Sequence, residues 1–311
     1  MYDTIYFKLD LGDCGNEDFL RVAAKYLDPE TILDAKGMYG EFISGGLGGL
    51  RFTATKTQIK LKEGSLCKWY LGDNYQTMER GDVKRAFESL GDSLHLPVHK
   101  AQIKRLDIGT NLIMKYPMSV YVGKLGELPY ASRLVQPHSL YYEGVNETLC
   151  IYDKNSLVQK ALIPELYKHR NVLRYEQRYL KRLPQQLGVP NVIGEMLYEE
   201  AFYIKLVERW LYRYNCISKI NDLKLNFSAM KGVKGLRQIG LLALVNEIGG
   251  ELKMFEQIKE AQQRGEIDKK QAMDMRNAIK EALKIDGNMV VKNDAMTELT
   301  RKVVEAAKYY R

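Results

Sequence analysis

The segment Asn171-Val172-Leu173-Arg174-Tyr175-Glu176-Gln177-Arg178 constrains the fold more than any other stretch of the chain. Extended as a strand, it points Arg174, Glu176 and Arg178 to one side and Leu173 and Tyr175 to the other, because side chains alternate across a strand. Lys104-Arg105-Leu106-Asp107-Ile108-Gly109 is built the same way, with Leu106 and Ile108 opposite Arg105 and Asp107. If both strands share one sheet, two carboxylates converge amid guanidinium groups. Such an arrangement suits a hard cation and phosphate oxygens. Taken alone, a cross-strand salt-bridge ladder on a solvated face is the simpler account.

A third segment, Leu149-Cys150-Ile151-Tyr152-Asp153-Lys154, sets Tyr152 opposite Ile151 and follows it with an acid and a base. A phenol is a weak nucleophile at neutral pH, with a pKa of about 10. Cationic groups and a polarising divalent cation around it let it attack phosphorus. By itself, a tyrosine packed at a strand end explains the segment as well.

The rest of the first two-thirds is strands interrupted by helices. Ile5, Phe7, Leu9 and Leu11 alternate with polar neighbours, and the glycine-rich residues 45–49 lead into a strand pair at 50–55 and 58–62. Those glycines match no phosphate-binding motif and read as a plain loop. Val83, Ala86, Phe87, Leu90 and Leu94 recur at helical spacing, with Asp82 as the expected N-cap. Strands return at 101–111, 140–153 and 171–179, with a helix near 117–125, and a helix over 201–214 closes the unit. The pattern predicts an α+β fold, a mainly antiparallel sheet with packed helices, over residues 1–220. Residues 221–235, with Met230-Lys231-Gly232-Val233-Lys234-Gly235, read as a basic linker. Residues 236–311 read as a small all-α module with helices near 236–248, 251–264, 268–283 and 294–309. From residue 219 onward, 18 Lys and Arg stand against 13 Asp and Glu, a charge suited to duplex DNA.

Over all 311 residues, 47 Lys and Arg against 39 Asp and Glu give a net charge of +8, which permits a polyanionic partner without requiring one. The 21 tyrosines, against 8 phenylalanines, suit base stacking or half-exposed packing on sheet faces equally. Lys168, Arg170, Arg174, Arg178, Lys181 and Arg182, interleaved with Tyr167, Tyr175 and Tyr179, read as a guide for a DNA strand or as a solvated edge. The four histidines make no H-E-x-x-H, no serine sits in G-x-S-x-G, and four scattered cysteines make no C-x-x-C. Zinc-peptidase, serine-hydrolase and disulfide-framework readings are thereby set aside. No run approaches the roughly 18 apolar residues that span a bilayer, and no leader pattern opens the chain. A cytoplasmic protein with no membrane partner is expected.

Taken in order, Arg105-Leu106-Asp107, then Tyr152-Asp153-Lys154, then Leu173-Arg174-Tyr175-Glu176-Gln177-Arg178-Tyr179-Leu180-Lys181 resemble the phage gene II/gene X replication-protein family. These are rolling-circle initiators of filamentous phages and related plasmids. Met1-Tyr2-Asp3-Thr4-Ile5 and Gly188-Val189-Pro190 extend the resemblance, which covers roughly residues 1–220. It implies an enzyme that nicks one origin strand, joins the 5′ phosphate to a tyrosine, leaves a 3′-OH for synthesis and later rejoins the displaced strand. Tyr152 matches the nucleophile, with Lys154 and Arg174 as the other catalytic residues. The chain lacks the His-hydrophobic-His pair of better-known initiators. Ligation of Mg²⁺ or Mn²⁺ by Asp107 and Glu176, completed by His138, is therefore inferred from the carboxylates. Arg105, Arg170, Arg178, Lys181 and Arg182 are the expected DNA contacts. Origin DNA, double- and single-stranded, is the implied partner in a bacterial host, beside a host helicase and polymerase, and an oligomer is compatible. The alternative is a non-catalytic DNA-binding protein, a copy-control or packaging factor using the same surface.

Overall fold

In the computed structural model, the extended segments of the first two-thirds become ten strands of a single antiparallel sheet. The structure describes residues 1–14, 18–37, 40–219, 224–225, 232–248, 250–284, 290–291 and 294–311. The chain opens with β1 (Tyr2–Asp10), α1 (Leu11–Cys14) and α2 (Phe19–Tyr26). Two hairpins follow, β2 (Leu33–Gly37) with β3 (Gly40–Leu47) and β4 (Leu50–Ala54) with β5 (Gln58–Glu63). Then come α3 (Leu66–Leu71), α4 (Arg80–Leu94), β6 (Gln102–Met114) and α5 (Met118–Val122). The second half of the sheet is β7 (Ser132–Gln136), β8 (Ser139–Glu143), β9 (Glu147–Asp153) and β10 (Asn171–Tyr179). α6 (Leu183–Leu187) and α7 (Glu200–Cys216) follow it.

The strand order is β2-β3-β4-β5-β1-β6-β10-β9-β8-β7, so β6, β10 and β9 lie side by side near the middle. On one face, Leu106, Ile108, Leu173, Tyr175 and Tyr179 are buried. Tyr175 shows how α7 covers that face. Its ring lies 4.7 Å from Trp210, and its hydroxyl donates to the Trp210 carbonyl at 3.1 Å. Burying each such large side chain contributes about 1.5–3 kcal/mol, which makes this face the main source of cohesion. The charged side chains of the same strands are left to the opposite face.

Two local expectations are refined. α4 begins before Asp82, which is the third helical residue and accepts the Glu79 backbone N–H at 2.9 Å. A capping box satisfies two orphan donors where a lone N-cap satisfies one. Gly48 and Gly49 form the turn between β3 and β4 at φ of +56° and +89°, a region that side chains with a Cβ avoid.

Contacts divide the chain into two units, Met1–Ile220 with Ala295–Arg311, and Asn221–Asp294. This differs from a boundary that groups 236–311 together. The second unit contains β11 (Lys224–Leu225), α8 (Gly232–Ile248), α9 (Glu251–Gln263), α10 (Lys269–Leu283) and β12 (Val290–Val291). The three helices share a small core of Val245, Ile258, Ala272 and Ile279. Residues 221–223 and 226–231 of the expected linker lie outside the described residues, whereas Gly232 to Gly235 form the first turn of α8. α11 (Asp294–Tyr309) belongs instead to the sheet unit. Its Met296, Leu299 and Val303 enter the main core, Tyr121 donates to Glu298 at 2.6 Å, and Tyr214 and Thr300 hydroxyls meet at 2.9 Å. Periodicity marked its apolar stripe but not the partner that covers it. Among the described residues no helix is long and apolar enough to cross a membrane.

A chain ending at Leu225 is therefore expected to lose more than a peripheral module. Without α11 the sheet unit gives up burial worth about 5 kcal/mol or more, on the scale of Met, Leu and Val side chains. Joining Leu225 directly to Val290, which are paired residues of the β11–β12 ladder, should retain that stability. Circular-dichroism melts of the two shortened chains check the difference; equal melting temperatures would refute it.

Candidate active site

Register brings the three charged segments together. Arg178 of β10 pairs with Asp107 of β6, and Arg174 pairs with Asn111 on one side and Tyr152 of β9 on the other. Glu176 lies between Gly109 and Cys150. A side chain at Gly109 would have its Cβ 2.6 Å from the Tyr175 carbonyl and 3.0 Å from the Glu176 Cβ, so glycine is what lets Glu176 stand there.

The result is a buried ion network rather than a solvated ladder. Asp107 is 1% exposed, and Arg174 and Glu176 are each 2% exposed. Arg174 donates from Nε to Glu176 Oε2 at 2.9 Å, from Nη2 to Asp3 Oδ2 at 2.8 Å, and from Nη1 to Asn111 Oδ1 at 3.2 Å. Arg178 Nε donates to Glu176 Oε1 at 2.7 Å and lies 4.0 Å from Asp107 Oδ2. Arg105 holds Asp107 through two bonds, at 2.9 and 2.6 Å. The Tyr152 hydroxyl donates to Glu176 Oε2 at 3.2 Å. Lys154, just past the end of β9, is buried and donates to Asn74 Oδ1 at 2.6 Å. Arg105 and Arg178 reach the network from its solvent side, since their side chains are 27% and 29% exposed.

Proton affinities follow from this packing. Burial pushes the Tyr152 phenol far above its ordinary range, and the Glu176 charge pushes it the same way. Burial also works to raise Glu176, but Arg174 and Arg178 outweigh it and hold the carboxyl well below the usual range. Asp107 is raised to about 6 by burial, with Arg105 opposing the rise and the Glu176 charge adding to it. Burial and Arg174 lower Lys154 to about 8. The expected activation of the phenol by surrounding cations is thus reversed in the resting arrangement, because desolvation dominates.

The other expected site residues are dispersed. His138 is exposed in the turn between β7 and β8, where its carbonyl accepts the Asp153 N–H at 3.0 Å. Among the described residues no three His, Cys, Asp or Glu side chains form a metal-binding group, so His138 does not complete one with Asp107 and Glu176. The basic run is not one surface. Arg170 is exposed at one end of β10 and Lys181 and Arg182 at the other, while Tyr175 and Tyr179 are buried on the helix side and interleave with nothing. Tyr141 pairs with Cys150 and shares the Glu176 face, whereas Tyr142 is buried on the other face and donates to the Gly126 carbonyl at 2.7 Å. Asp3, Asn74 and Asn111 were not anticipated; they stand far from Arg174 in sequence, and no local pattern marks them.

Asp107 and Glu176 nevertheless have the chemistry of a hard-cation pair. Both are buried carboxylate oxygen donors on one face of the sheet. Arg178 occupies the position between them and has to leave before an ion can enter.

The whole network lies in a part of the chain that is matched by a known family. Residues 1–211 match Phage_CRI, the replication-associated protein (phage gene II protein) N-terminal family. Comparison with curated proteins gave no match. The matched stretch takes in β6, β9, β10 and the sheet that aligns them, and stops before the second unit and α11. Because it covers more than half of the sequence and carries the assembled site, this chain belongs to the phage gene II family of replication-associated proteins.

Proposed function

We propose that this replication initiator nicks one strand of origin DNA by transesterification on Tyr152. The observation that carries the reading is the 3.2 Å hydrogen bond from the Tyr152 hydroxyl to Glu176, inside a cluster of arginines. In the step proposed, Tyr152 Oη bonds to phosphorus and the P–O3′ bond breaks. The products are a 5′-phosphotyrosine and a free 3′-OH, and the reverse attack by a 3′-OH rejoins the strand without ATP.

Arg178 supplies the trigger. It sits on the solvent side, so an arriving phosphate draws its guanidinium away from Glu176. Glu176 Oε2, at which the phenolic proton is already directed, then takes that proton as the Tyr152 oxygen bonds to phosphorus. Lys154, lowered to about 8, supplies the proton for the leaving 3′ oxygen. Arg105 and Arg178 meet the charge that grows on the non-bridging oxygens. With Arg178 displaced, Asp107 and Glu176 would hold Mg²⁺ or Mn²⁺, whose chemistry is to polarise the phosphate. Origin DNA is the partner in this reading, with a host helicase and polymerase acting on the opened strand.

The test is a labelled origin oligonucleotide incubated with protein and Mg²⁺, then resolved on a denaturing gel and mapped by peptide sequencing. An adduct on the peptide containing Tyr152 supports the reading. The deep burial of Tyr152 favours one second reading, a DNA-binding protein without catalysis, which predicts bound but never linked DNA.

Asp107 sets an expected pH dependence. Nicking should rise with pH through about 6 as this carboxyl ionises, and Asp107→Asn should be slow and lack that inflection. Stability moves the other way. An unfolded aspartate gives up its proton near 3.8 and the folded one near 6, so the folded state binds more protons between those values. Stability therefore falls as pH rises through that window, by up to ~3 kcal/mol, and Asp107→Asn should flatten it. Urea titrations at pH 4.5 and 6.5 measure this directly; an unchanged difference in the variant would rule it out.

A further inference from the structure

A cavity of about 430 Å³ lies among the start of α4, the approach to α7 and the end of α11, and none of its lining residues belongs to the Tyr152 network. Its volume is in the range that takes a ligand the size of a nucleotide. Its lining combines aromatic rings with positive charge. Tyr198, Tyr203, Tyr309 and Tyr310 bring aromatic rings from three segments, and Arg80, Lys84 and Arg311 bring positive charge.

Tyr309 and the three cations are available to a ligand. Tyr309 is 73% exposed, and its ring is braced edge-on against Tyr310 with centroids 4.9 Å apart. An exposed ring held by a neighbour is a stacking platform, unlike the tyrosines buried against α7. Among the described residues the ion pairs of these cations are loose: Arg80 to Glu200 at 3.8 Å, Lys84 to Glu88 at 3.9 Å, and Arg311 to Glu208 at 3.4 Å. These distances exceed those of charge-assisted bonds, and exposed pairs of this kind give way to a phosphate at little cost. Glu79 stands at the same cavity and accepts from the Tyr309 hydroxyl at 3.3 Å, so an acceptor for a base N–H is also present. α11 lies beyond residue 211, so part of this site comes from outside the family match.

We infer that this cavity binds one nucleotide of a single-stranded DNA, with the base stacked on Tyr309 and its phosphate on Arg80, Lys84 and Arg311. The identity of the ligand as a DNA strand rests on the proposed origin-nicking function; the nucleotide chemistry rests on the cavity alone. The site anchors a strand through residues that the nicking centre does not use.

The test uses the full chain and a fluorescent deoxythymidine dodecamer that contains no origin sequence, so that cleavage plays no part. Tyr309→Ala, and separately Arg80→Gln with Lys84→Gln, should each weaken binding about tenfold, within the range for losing one stacked base or two phosphate contacts. Tyr309 is exposed, so its removal leaves the fold intact, as a thermal melt will show. Tyr309→Trp should keep the affinity, and its emission should be quenched on adding the dodecamer. Undiminished binding by both loss variants overturns the inference. So does quenching by a free mononucleotide at concentrations where the dodecamer has no effect, which would assign the cavity to free nucleotides. Failure to form the Tyr152 adduct with these binding results intact would count against nicking and not against this site.

Discussion

A Tyr152→Phe protein is expected to fold, to bind origin DNA and to form no covalent adduct. The substitution removes one oxygen atom and keeps the ring that packs between β10 and β8. The lost hydrogen bond to Glu176 costs about 1 kcal/mol, since the remaining donors to that carboxylate, Arg174 and Arg178, are untouched. Tyr141 is the rival to exclude, because it shares the face with Glu176, whereas the Tyr142 hydroxyl is committed on the other side of the sheet. Tyr141→Phe and Tyr142→Phe should both retain the adduct. If Tyr152→Phe still links to DNA and Tyr141→Phe does not, the nucleophile moves one strand over and the proposed proton path to Glu176 fails with it.

Arg174→Ala should be the most damaging single substitution for stability in the sheet unit. It removes the guanidinium shared by Asp3 and Glu176, two buried carboxylates that keep the Ser65 hydroxyl and Arg178 respectively, and it opens a large void. Removing one member of a buried charge network costs about 3–5 kcal/mol. For a unit of this size that corresponds to a fall in Tm of roughly 10 °C. The position also distinguishes charge from volume. Arg174→Met fills the space without pairing the acids, and should remain nearly as destabilised at pH 7. It should recover partly at low pH, where these acids take up protons. A scanning-calorimetry series across pH would show this. Wild-type stability in Arg174→Met at pH 7 would mean that the acids find other partners and that the network is not a single electrostatic unit.

The secondary structure of this chain was largely legible because it depends on periodicity, which is local. The segments 101–111, 140–153 and 171–179 became β6, the β8–β9 hairpin and β10, and the helical spacing after residue 82 became α4. Within the site, the alternation in Leu173-Arg174-Tyr175-Glu176 told which residues share a face, and Tyr152, Glu176 and Asp107 do share one. Three things were not legible. Asp3 and Asn74 join the network across 171 and 80 residues of chain. His138 was drawn in by residue type alone, and the turn places it in solvent. Tyr175 and Tyr179 were counted as stacking groups, although their odd positions on β10 turn them into the core.

What the amino-acid order determined by itself is the facing of each strand and helix, because a period of two or 3.6 residues is written in every short window. Family membership was legible for a related reason, since short motifs in a fixed order survive without any knowledge of their contacts. Only the tertiary structure decided which strands are neighbours, how deep the charges lie, and that α11 returns to the sheet unit. Those outcomes depend on which distant apolar faces cover one another, and the free energy of that choice resides in pairs of residues that no local window contains. Depth then set the chemistry. The same Arg-x-Glu alternation that on a solvated face would be a weak ladder becomes, once α7 and α11 close one side and Asp3 and Asn74 the other, a desolvated network that keeps its tyrosine protonated.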